Sequence, residues 1–474
     1  MQRIGLIGIT NLLVALSSMV LLPILTKNLS INDYGIWVQI YATISLLPNI
    51  VTLGLPYTMI RFLSAEKDRE KVQEGFYTIF SVVLVSTTFI FILLLLFSDI
   101  ISKIIFNGNT NIAVILAIII FFACINVFLL NTFRTLNQIK RYSVFLLIQT
   151  YLIVFLVSYF AITGIDIYYA VISILISHLI TCLMMIAFLI SDLGIKIPKF
   201  KHLKEYFSFG LPTIPSNLSY WIVDSSDRYI IGILLGITSV GYYAPGYTLG
   251  NIIIMLVTPF SFLLPSILPK FYEEDDIEKI MLYLKYSMKY FLLLAIPSVF
   301  GLSLLSKPIL MILTTPEIAF NGYLVTPFIS LSALLFGIYG IISNLIVLKK
   351  KTNILGIIWI IAAILNLTLN MILLPYYGII GAALATLITY ITASTLTSCY
   401  TRHYFKFDLD IVFIFKSLIA SILMSIIIVL VKPFDILNIL ITVIICSVFY
   451  FVLLLLFKGI EKEEMILLKK MIRE

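Results

Sequence analysis

The stretch VVLVSTTFIFILLLLF, residues 82–97, decides the fold class, because it runs for sixteen residues without a charge. A second stretch, VILAIIIFFACINVFLL (114–130), has the same character. Both approach the ~20 apolar residues that cross a bilayer as an α-helix. In lipid the backbone must satisfy its own hydrogen bonds, so such a segment is a helix or part of a closed barrel. Barrel strands alternate apolar and polar residues, and these stretches do not.

The composition extends this reading to the whole chain. Of its 474 residues, 61% are hydrophobic and only 12% are charged, against roughly 25% charged residues in a soluble domain. The apolar segment from Ile4 to Thr26 is too long for the ~7–15-residue core of a cleaved signal peptide. The sequence therefore predicts an all-α, multi-pass protein of the cell membrane.

Charge and Pro/Gly breaks divide the chain into fourteen predicted spans. They are 4–27, 36–60, 77–98, 111–133, 142–163, 166–190, 209–235, 242–266, 283–306, 320–347, 354–374, 379–400, 411–431 and 435–457. With both termini cytoplasmic, the inner segments hold twenty-seven lysines and arginines and the outer loops four. This is the distribution that the positive-inside rule requires. The net charge of +8 is therefore a signature of topology, and we expect no nucleic-acid partner.

An internal repeat covers the first twelve spans. At an offset of 206, Asn11 aligns with Asn217, Ile31 with Ile237 and Gly35 with Gly241; at 208, YYAVISILISHLIT aligns with YYGIIGAALATLIT. Six spans is an even number, so both copies have the same orientation, as in transporters with parallel repeats. We predict six-helix bundles over 1–192 and 205–403, spans 13 and 14 over 411–457, and a cytoplasmic tail over 458–474.

The sequence contains few patterns that would indicate a metal site, disulfide bonds or a nucleotide-binding site. The four cysteines lie in separate apolar runs, without a CxxC or Cys/His cluster, and no GxxxxGK[ST] loop occurs. We therefore expect no metal, disulfide framework or cofactor, and an energy source in ion or substrate gradients.

Three charges stand out within span 7, in the stretch SNLSYWIVDSSDRYIIG (216–232). Asp224 lies about 18 Å along the helix from Pro212, at 1.5 Å per residue, which is near the midplane of the bilayer. Asp224 and Arg228 are four residues apart and share a helix face, and Asp227 lies beside them. Charges in a membrane are costly and mark functional sites by default. Two readings stay open: an ion pair that fixes helix packing, or an arginine that receives phosphate while the aspartates orient it.

Five more residues complete the predicted substrate-binding set. Arg61 and Arg134, at the inner ends of spans 2 and 4, are candidates to receive an anionic group, with topological anchoring as the alternative. Asn11, Asn217 and Asn251 are candidates to bind neutral polar groups, with interhelical hydrogen bonding as the alternative.

Four segments make the sequence resemble the polysaccharide (oligosaccharide-lipid) flippases of the MATE-like exporter superfamily. They are LPILTKNLSINDYGIW (22–37), LGLPYTMIRFLS (53–64), DRYIIGILLGITSVGYYAPGYTLG (227–250) and LNLTLNMILLPYYGIIGAALATLITY (365–390). The resemblance implies two six-helix bundles around a central cavity with alternating access. It also implies transport of a polyprenyl-diphosphate-linked oligosaccharide from the inner to the outer leaflet for surface polysaccharide assembly.

The expected partners are this lipid-linked oligosaccharide and membrane lipid, with H+ or Na+ as a coupling ion, and the expected state is a monomeric non-enzyme. An ion-coupled multidrug antiporter of the same superfamily is the alternative function. A membrane glycan polymerase or ligase is disfavoured, because the longest outer loop (99–110) is too short to hold a catalytic site.

Overall fold

The computed structural model describes residues 2–164, 166–405 and 410–459, and the side chains from Gly5 onward. Within these ranges the chain forms nineteen α-helices, one 3-10 turn (Phe200–His202) and no strand. The helices are α1 (Gln2–Asn28), α2 (Ile31–Val51), α3 (Leu55–Leu63), α4 (Arg69–Leu96), α5 (Ser98–Ile105), α6 (Thr110–Thr135), α7 (Ile139–Thr163), α8 (Ile167–Leu193), α9 (Leu203–Gly210), α10 (Thr213–Leu235), α11 (Ile237–Asn251), α12 (Ile254–Glu273), α13 (Ile277–Leu313), α14 (Pro316–Gly322), α15 (Val325–Leu348), α16 (Thr352–Tyr377), α17 (Ile379–Arg402), α18 (Ile411–Val431) and α19 (Ile436–Leu456). The predicted tail lies outside the described residues from position 460.

Thirteen of the described helices are long and apolar enough to cross a membrane. Each overlaps one of the predicted spans, which confirms an all-helical, multi-pass membrane protein. The predicted span 7 is α10, which has 23 residues but is not among the thirteen. Its three charges lie in the middle of the helix, whereas those of α4 lie in its first turns. The cytoplasmic position of both termini stays a prediction.

Span 2 is a broken helix. α2 ends at Val51 and α3 begins at Leu55, with Leu53 and Gly54 both in the left-handed region at φ 56° and 68°. A Cβ on Gly54 would collide with the Gly210 carbonyl, so glycine is required by both the backbone conformation and the close contact. Pro56 lies in the first turn of α3, where its missing N–H is harmless.

Span 8 is broken as well, and short helices occupy several connections. α11 ends at Asn251 and α12 begins at Ile254, just after Gly250. The short helices α5, α9 and α14 lie between spans. The predicted outer loop 99–110 is thus largely helical, because its IISKII segment (100–105) places apolar residues on one face of α5.

The described chain divides into two compact units by its internal contacts. The first contains the residues up to Ala244 and Trp359–Ala382. A hydrophobic core of this unit lies among α3, α4, α6 and α8, where Phe76, Phe128, Phe133 and Met185 are fully or almost fully buried. Aromatic rings stack there, with 5.6 Å between the ring centroids of Phe76 and Phe128, a separation typical of favourable aromatic pairs.

The second unit contains Pro245–Ile358 and the described residues from Ala383 onward. A hydrophobic core of this unit joins α12, α13, α15 and α18 around Phe291, Leu284 and Leu264. Phe291 packs against Gly337 of α15, where any Cβ would collide with its ring. Without a hydrophobic driving force in lipid, such close packing is what associates the helices. The domain boundaries predicted from the sequence repeat stay predictions.

Candidate functional site

The three charged residues of α10 form one hydrogen-bonded group. Arg228 Nη1 lies 2.8 Å from Asp227 Oδ1 in an ion pair, and it also donates to the backbone carbonyl of Asp224. The Asp227 side chain is 1% exposed and that of Arg228 is 13% exposed. The guanidinium is therefore almost buried, with its positive charge offset by the adjacent carboxylate.

Both oxygens of the Asp227 carboxylate have donors. The backbone N–H of Arg228 donates to Oδ1 over 2.8 Å, and the hydroxyl of Tyr243 donates to Oδ2. The Ser225 hydroxyl donates to Asp224 Oδ2 over 2.9 Å. A buried charge is tolerated only when it is paired and hydrogen-bonded, and the group around Asp227 meets that condition.

Polar contacts join the middle of α10 to α2. We call this contact, together with the adjoining contact of α2 with the start of α11, the α2/α10 seam. Gln39 Nε2 donates to the Arg228 carbonyl over 2.7 Å. The hydroxyls of Thr43 and Tyr229 are 2.5 Å apart, and Trp221 Nε1 donates to Ser45 Oγ over 2.8 Å. The seam therefore fixes the backbone of Arg228, whereas its side chain is held within α10 by Asp227 and Asp224.

Two glycines allow the backbones to approach at one end of the seam. A Cβ on Gly35 would collide with the carbonyl oxygen of Ile237, and a Cβ on Gly241 would lie 2.5 Å from the carbonyl oxygen of Ile31. Ile31 and Gly35 are the residues that align with Ile237 and Gly241 in the sequence repeat. The contact is therefore reciprocal, as in an isologous interface, where the same two positions meet each other from both sides.

The other predicted site residues are more dispersed. Arg61, in the last turn of α3, and Arg134, in the last turn of α6, are both exposed. Arg134 donates to Asn131 Oδ1 over 3.3 Å and lies over the Tyr142 ring. Asn11 is exposed on α1, and Asn217 is half-buried on α10. Their facing each other across a cavity stays a prediction, as does the role of the half-buried Asn251 in the second unit.

Sequence reasoning missed Tyr243 and Gln39, which hold the group around Asp227 and Arg228 in place. Tyr243 is sixteen residues from Asp227, beyond the turn at Gly236, and Gln39 is 189 residues from Arg228. Helical spacing carries no information at such separations. The alignment of Ile31 and Gly35 with Ile237 and Gly241 pointed to the region around these partners but not to the partners themselves.

Comparison with protein families gives two matches. The family described as polysaccharide biosynthesis protein matches residues 1–271, more than half of the chain. The MatE family matches residues 212–372.

Two relatives from the archaeon Haloferax volcanii resemble part of the chain. The probable low-salt glycan biosynthesis flippase Agl15 is 24% identical over 207 residues, 44% of each chain. The probable flippase AglR is 29% identical over 175 residues, 36% of each chain. The matched segments therefore span less than half the length of either relative.

Solved structures share the fold. The lipid II flippase MurJ, in an inward closed conformation, superposes with a TM-score of 0.79 at 19% identity, over 98% of this chain and 99% of its own. An inward-facing multidrug resistance transporter of the MATE family gives a TM-score of 0.65 at 17% identity, over 83% of this chain and 93% of its own. Similarity at this level of identity establishes the architecture alone.

Proposed function

We propose a function for this chain from one premise: the chain belongs to the polysaccharide biosynthesis protein family. The function is that of a flippase, which moves a polyprenyl-diphosphate-linked oligosaccharide from the inner to the outer leaflet of the cell membrane for surface polysaccharide assembly. Family membership carries the proposal. The relatives named as glycan flippases and the full-length likeness to a lipid flippase fold support it.

The charges of the first unit suit an anionic lipid head group. A diphosphate cannot cross the hydrocarbon core without compensating cations, because an isolated ion in a medium of low dielectric is strongly disfavoured. Arg61 and Arg134 are exposed, so in this proposal they receive the head group first. Arg228 is already paired with Asp227, so it joins only when phosphate oxygens replace the carboxylate as its partner.

The proposal includes alternating access without covalent chemistry. The chain then acts as a transporter and not as an enzyme, as a monomer, with H+ or Na+ as the coupling ion. A neutral Asp227–Arg228 pair suits this cycle, because the loaded and empty protein would differ in which anion the guanidinium holds.

The test is the sidedness of lipid-linked oligosaccharide in sealed membrane vesicles after depletion of this protein. A glycan-modifying enzyme that cannot cross the membrane reports which leaflet holds the glycan. We expect the outward-facing glycan to fall and the inward-facing glycan to accumulate. Unchanged sidedness would overturn the proposal.

Three variants connect the assay to the site. Arg228→Ala, and the double variant Arg61→Ala/Arg134→Ala, should reproduce depletion. Arg402→Ala is the matched control, because Arg402 is an exposed arginine at the end of α17 that the proposal does not use. Equal loss in all three would indicate a general effect of removing positive charge.

Ion-coupled multidrug export is the second candidate, favoured by the MatE match over residues 212–372. The MATE-family fold covers 83% of this chain against 98% for the lipid flippase fold, which makes this the weaker candidate. Efflux of a cationic dye from cells that express the protein tests it. Dye efflux that is lost in Asp227→Asn, together with unchanged glycan sidedness, would favour the antiporter.

A further inference from the structure

A cavity with several polar side chains on a mostly apolar wall lies inside the helix bundle of the first unit, apart from the group around Arg228. It has a volume of about 310 Å³, at the lower end of the ~300–1,000 Å³ typical of ligand pockets. Helices α1, α2, α6, α7 and α8 contribute its wall. Its polar lining is Ser17, Ser18, Tyr41, Asn126, Gln149 and His178, with Thr150 beside them.

Asn126 has its amide held in a fixed orientation. Its Nδ2 donates to the His178 carbonyl over 2.9 Å and to Thr181 Oγ1 over 3.2 Å. With the nitrogen bound in this way, the Asn126 oxygen has a defined direction. That oxygen is buried and has no hydrogen-bond partner among the described residues, and Asn126 itself is 1% exposed. A buried acceptor without a donor is costly. Because the oxygen is buried, a ligand's donor reaches it only when the Asn126 side chain turns toward the cavity, and the hydrogen bond that the oxygen lacks favours that turn.

The contacts of His178 indicate that the cavity wall carries no charge. The amide nitrogen of Gln149 lies 2.9 Å from its Nδ1, an arrangement in which Nδ1 accepts a hydrogen bond and the imidazole is uncharged. No Asp, Glu, Lys or Arg is among the residues that line the cavity. A cation there would lack a counter-charge within the membrane, whereas a hydroxyl group can donate to Asn126 without adding charge.

The remaining wall is apolar. Leu21, Ile44, Pro48 and Leu130 lie opposite the amide and hydroxyl groups, and Tyr41 supplies an aromatic ring. A sugar ring presents hydroxyl groups at its edge and C–H groups on its faces, which matches a cavity with both kinds of wall.

We propose that this cavity is a binding subsite for one neutral sugar unit, with a sugar hydroxyl donating to Asn126 Oδ1. The inference deepens the proposed flippase function and rests on it for the biological role, since the sugar would belong to the lipid-linked oligosaccharide. Binding itself is independent of transport and is tested separately.

The experiment is saturation-transfer-difference NMR on the full-length protein in a detergent without a sugar head group. The probes are the methyl glycosides of glucose, galactose, N-acetylglucosamine and N-acetylgalactosamine. The wild type should give a signal with at least one of them. Asn126→Leu removes the acceptor and should weaken that binding about tenfold, the upper range for one hydrogen bond.

Two further variants make the result decisive. Val14→Phe fills the cavity from α1 without removing a polar group and should abolish the signal, even if Asn126→Leu does not fold. Ser158→Ala is the matched control on α7: the Ser158 hydroxyl donates to the Val154 carbonyl over 2.7 Å and does not line the cavity, so binding should persist.

Several results would overturn the subsite. They are the absence of a signal with all four glycosides, unchanged binding in both Val14→Phe and Asn126→Leu, and a sodium-23 relaxation effect that Asn126→Leu removes while no glycoside binds. If glycan sidedness depends on the protein but no glycoside binds, the subsite fails and the flippase stands. If a glycoside binds and both variants weaken it while sidedness is unchanged, the subsite stands and the flippase fails.

Discussion

The α2/α10 seam and the cavity among α1, α2, α6, α7 and α8 both contain buried polar groups of one compact unit, but these groups are hydrogen-bonded to different extents. At the seam, the Asp227 carboxylate is fully supplied with donors, and two backbones approach so closely that only glycine fits. In the cavity there is no formal charge on the lining, about 310 Å³ of space, and one directed acceptor without a donor. The seam therefore holds helices of this chain together, whereas the cavity leaves space that a ligand could occupy.

The largest expected effect comes from breaking the charge pair. Asp227→Asn leaves the nearly buried Arg228 guanidinium without its counter-charge, which we expect to lower the free energy of unfolding by about 3–5 kcal/mol. Denaturant titration in mixed micelles measures it. The double variant Asp227→Asn/Arg228→Gln should recover much of the loss, because neither member of the Asp227–Arg228 ion pair then remains without the other. A double variant as unstable as the single one would contradict a charge-pairing role.

The reciprocal glycine contact should give the next largest effect. Gly35→Ala forces a methyl group against the Ile237 carbonyl, and a backbone oxygen cannot move aside as a flexible side chain can. We expect a loss of about 1–3 kcal/mol, as for overpacked sites, measured by the same titration.

Two controls sharpen this test. Gly301→Ala, in α13, should be neutral or stabilising, because a Cβ there meets nothing within 4 Å. Gly35→Ala/Gly241→Ala should cost less than the sum of the single variants, because one separation of the backbones relieves both collisions. Strict additivity would mean that the two contacts are independent.

A smaller effect is expected from the Trp221–Ser45 hydrogen bond. Trp221→Leu would also remove packing, so Ser45→Ala is the cleaner change: it deletes the acceptor of the 2.8 Å bond and little else. Interhelical hydrogen bonds in membranes are worth about 0.6 kcal/mol on average, and the thermal unfolding temperature should fall slightly. A change as large as that of Gly35→Ala would show that the seam depends on this bond more than on close packing.

The smallest effect on stability should come from the cavity. The Ser17 hydroxyl donates to the Val14 carbonyl within the same helix, over 2.6 Å, so Ser17→Ala breaks no contact between helices. We expect a change within about 0.5 kcal/mol, as for most substitutions without a special mechanism. If the cavity serves a ligand, glycoside binding should weaken in this variant even though stability does not. A large loss of stability would instead assign the cavity a structural role.

The helical membrane architecture could be predicted from the sequence, because each membrane-spanning helix requires a long segment of apolar residues. Stretches such as 82–97 have one physical solution in lipid, and α4 covers that stretch up to Leu96. The breaks within spans 2 and 8 were harder to predict. Gly54 could be recognised as flexible, but its need for a left-handed backbone and for contact with Gly210 depends on a helix that lies about 150 residues away in the chain.

The sequence predicted which charged residues of the site lie on one helix, but it did not predict which residues contact them. The spacing of Asp224, Asp227 and Arg228 placed all three on one helix, which α10 confirms. Their partners Tyr243 and Gln39 come from other helices, and no periodicity relates them to α10. The cavity was equally hidden: Asn126, Gln149 and His178 each look like an isolated polar residue in an apolar run, and only packing brings them within 3.2 Å.

The reciprocal contact of Gly35 with Ile237 and of Gly241 with Ile31 has a consequence for how such a chain can change over generations. Each glycine is kept small by a carbonyl in the other copy of the repeat, so a larger residue in one copy is resisted by the backbone of the other. The two halves of the duplicated sequence are therefore not free to diverge at these positions. At most other aligned positions the two copies now carry different residues. At these two positions, the backbone of each copy leaves room only for glycine in the other.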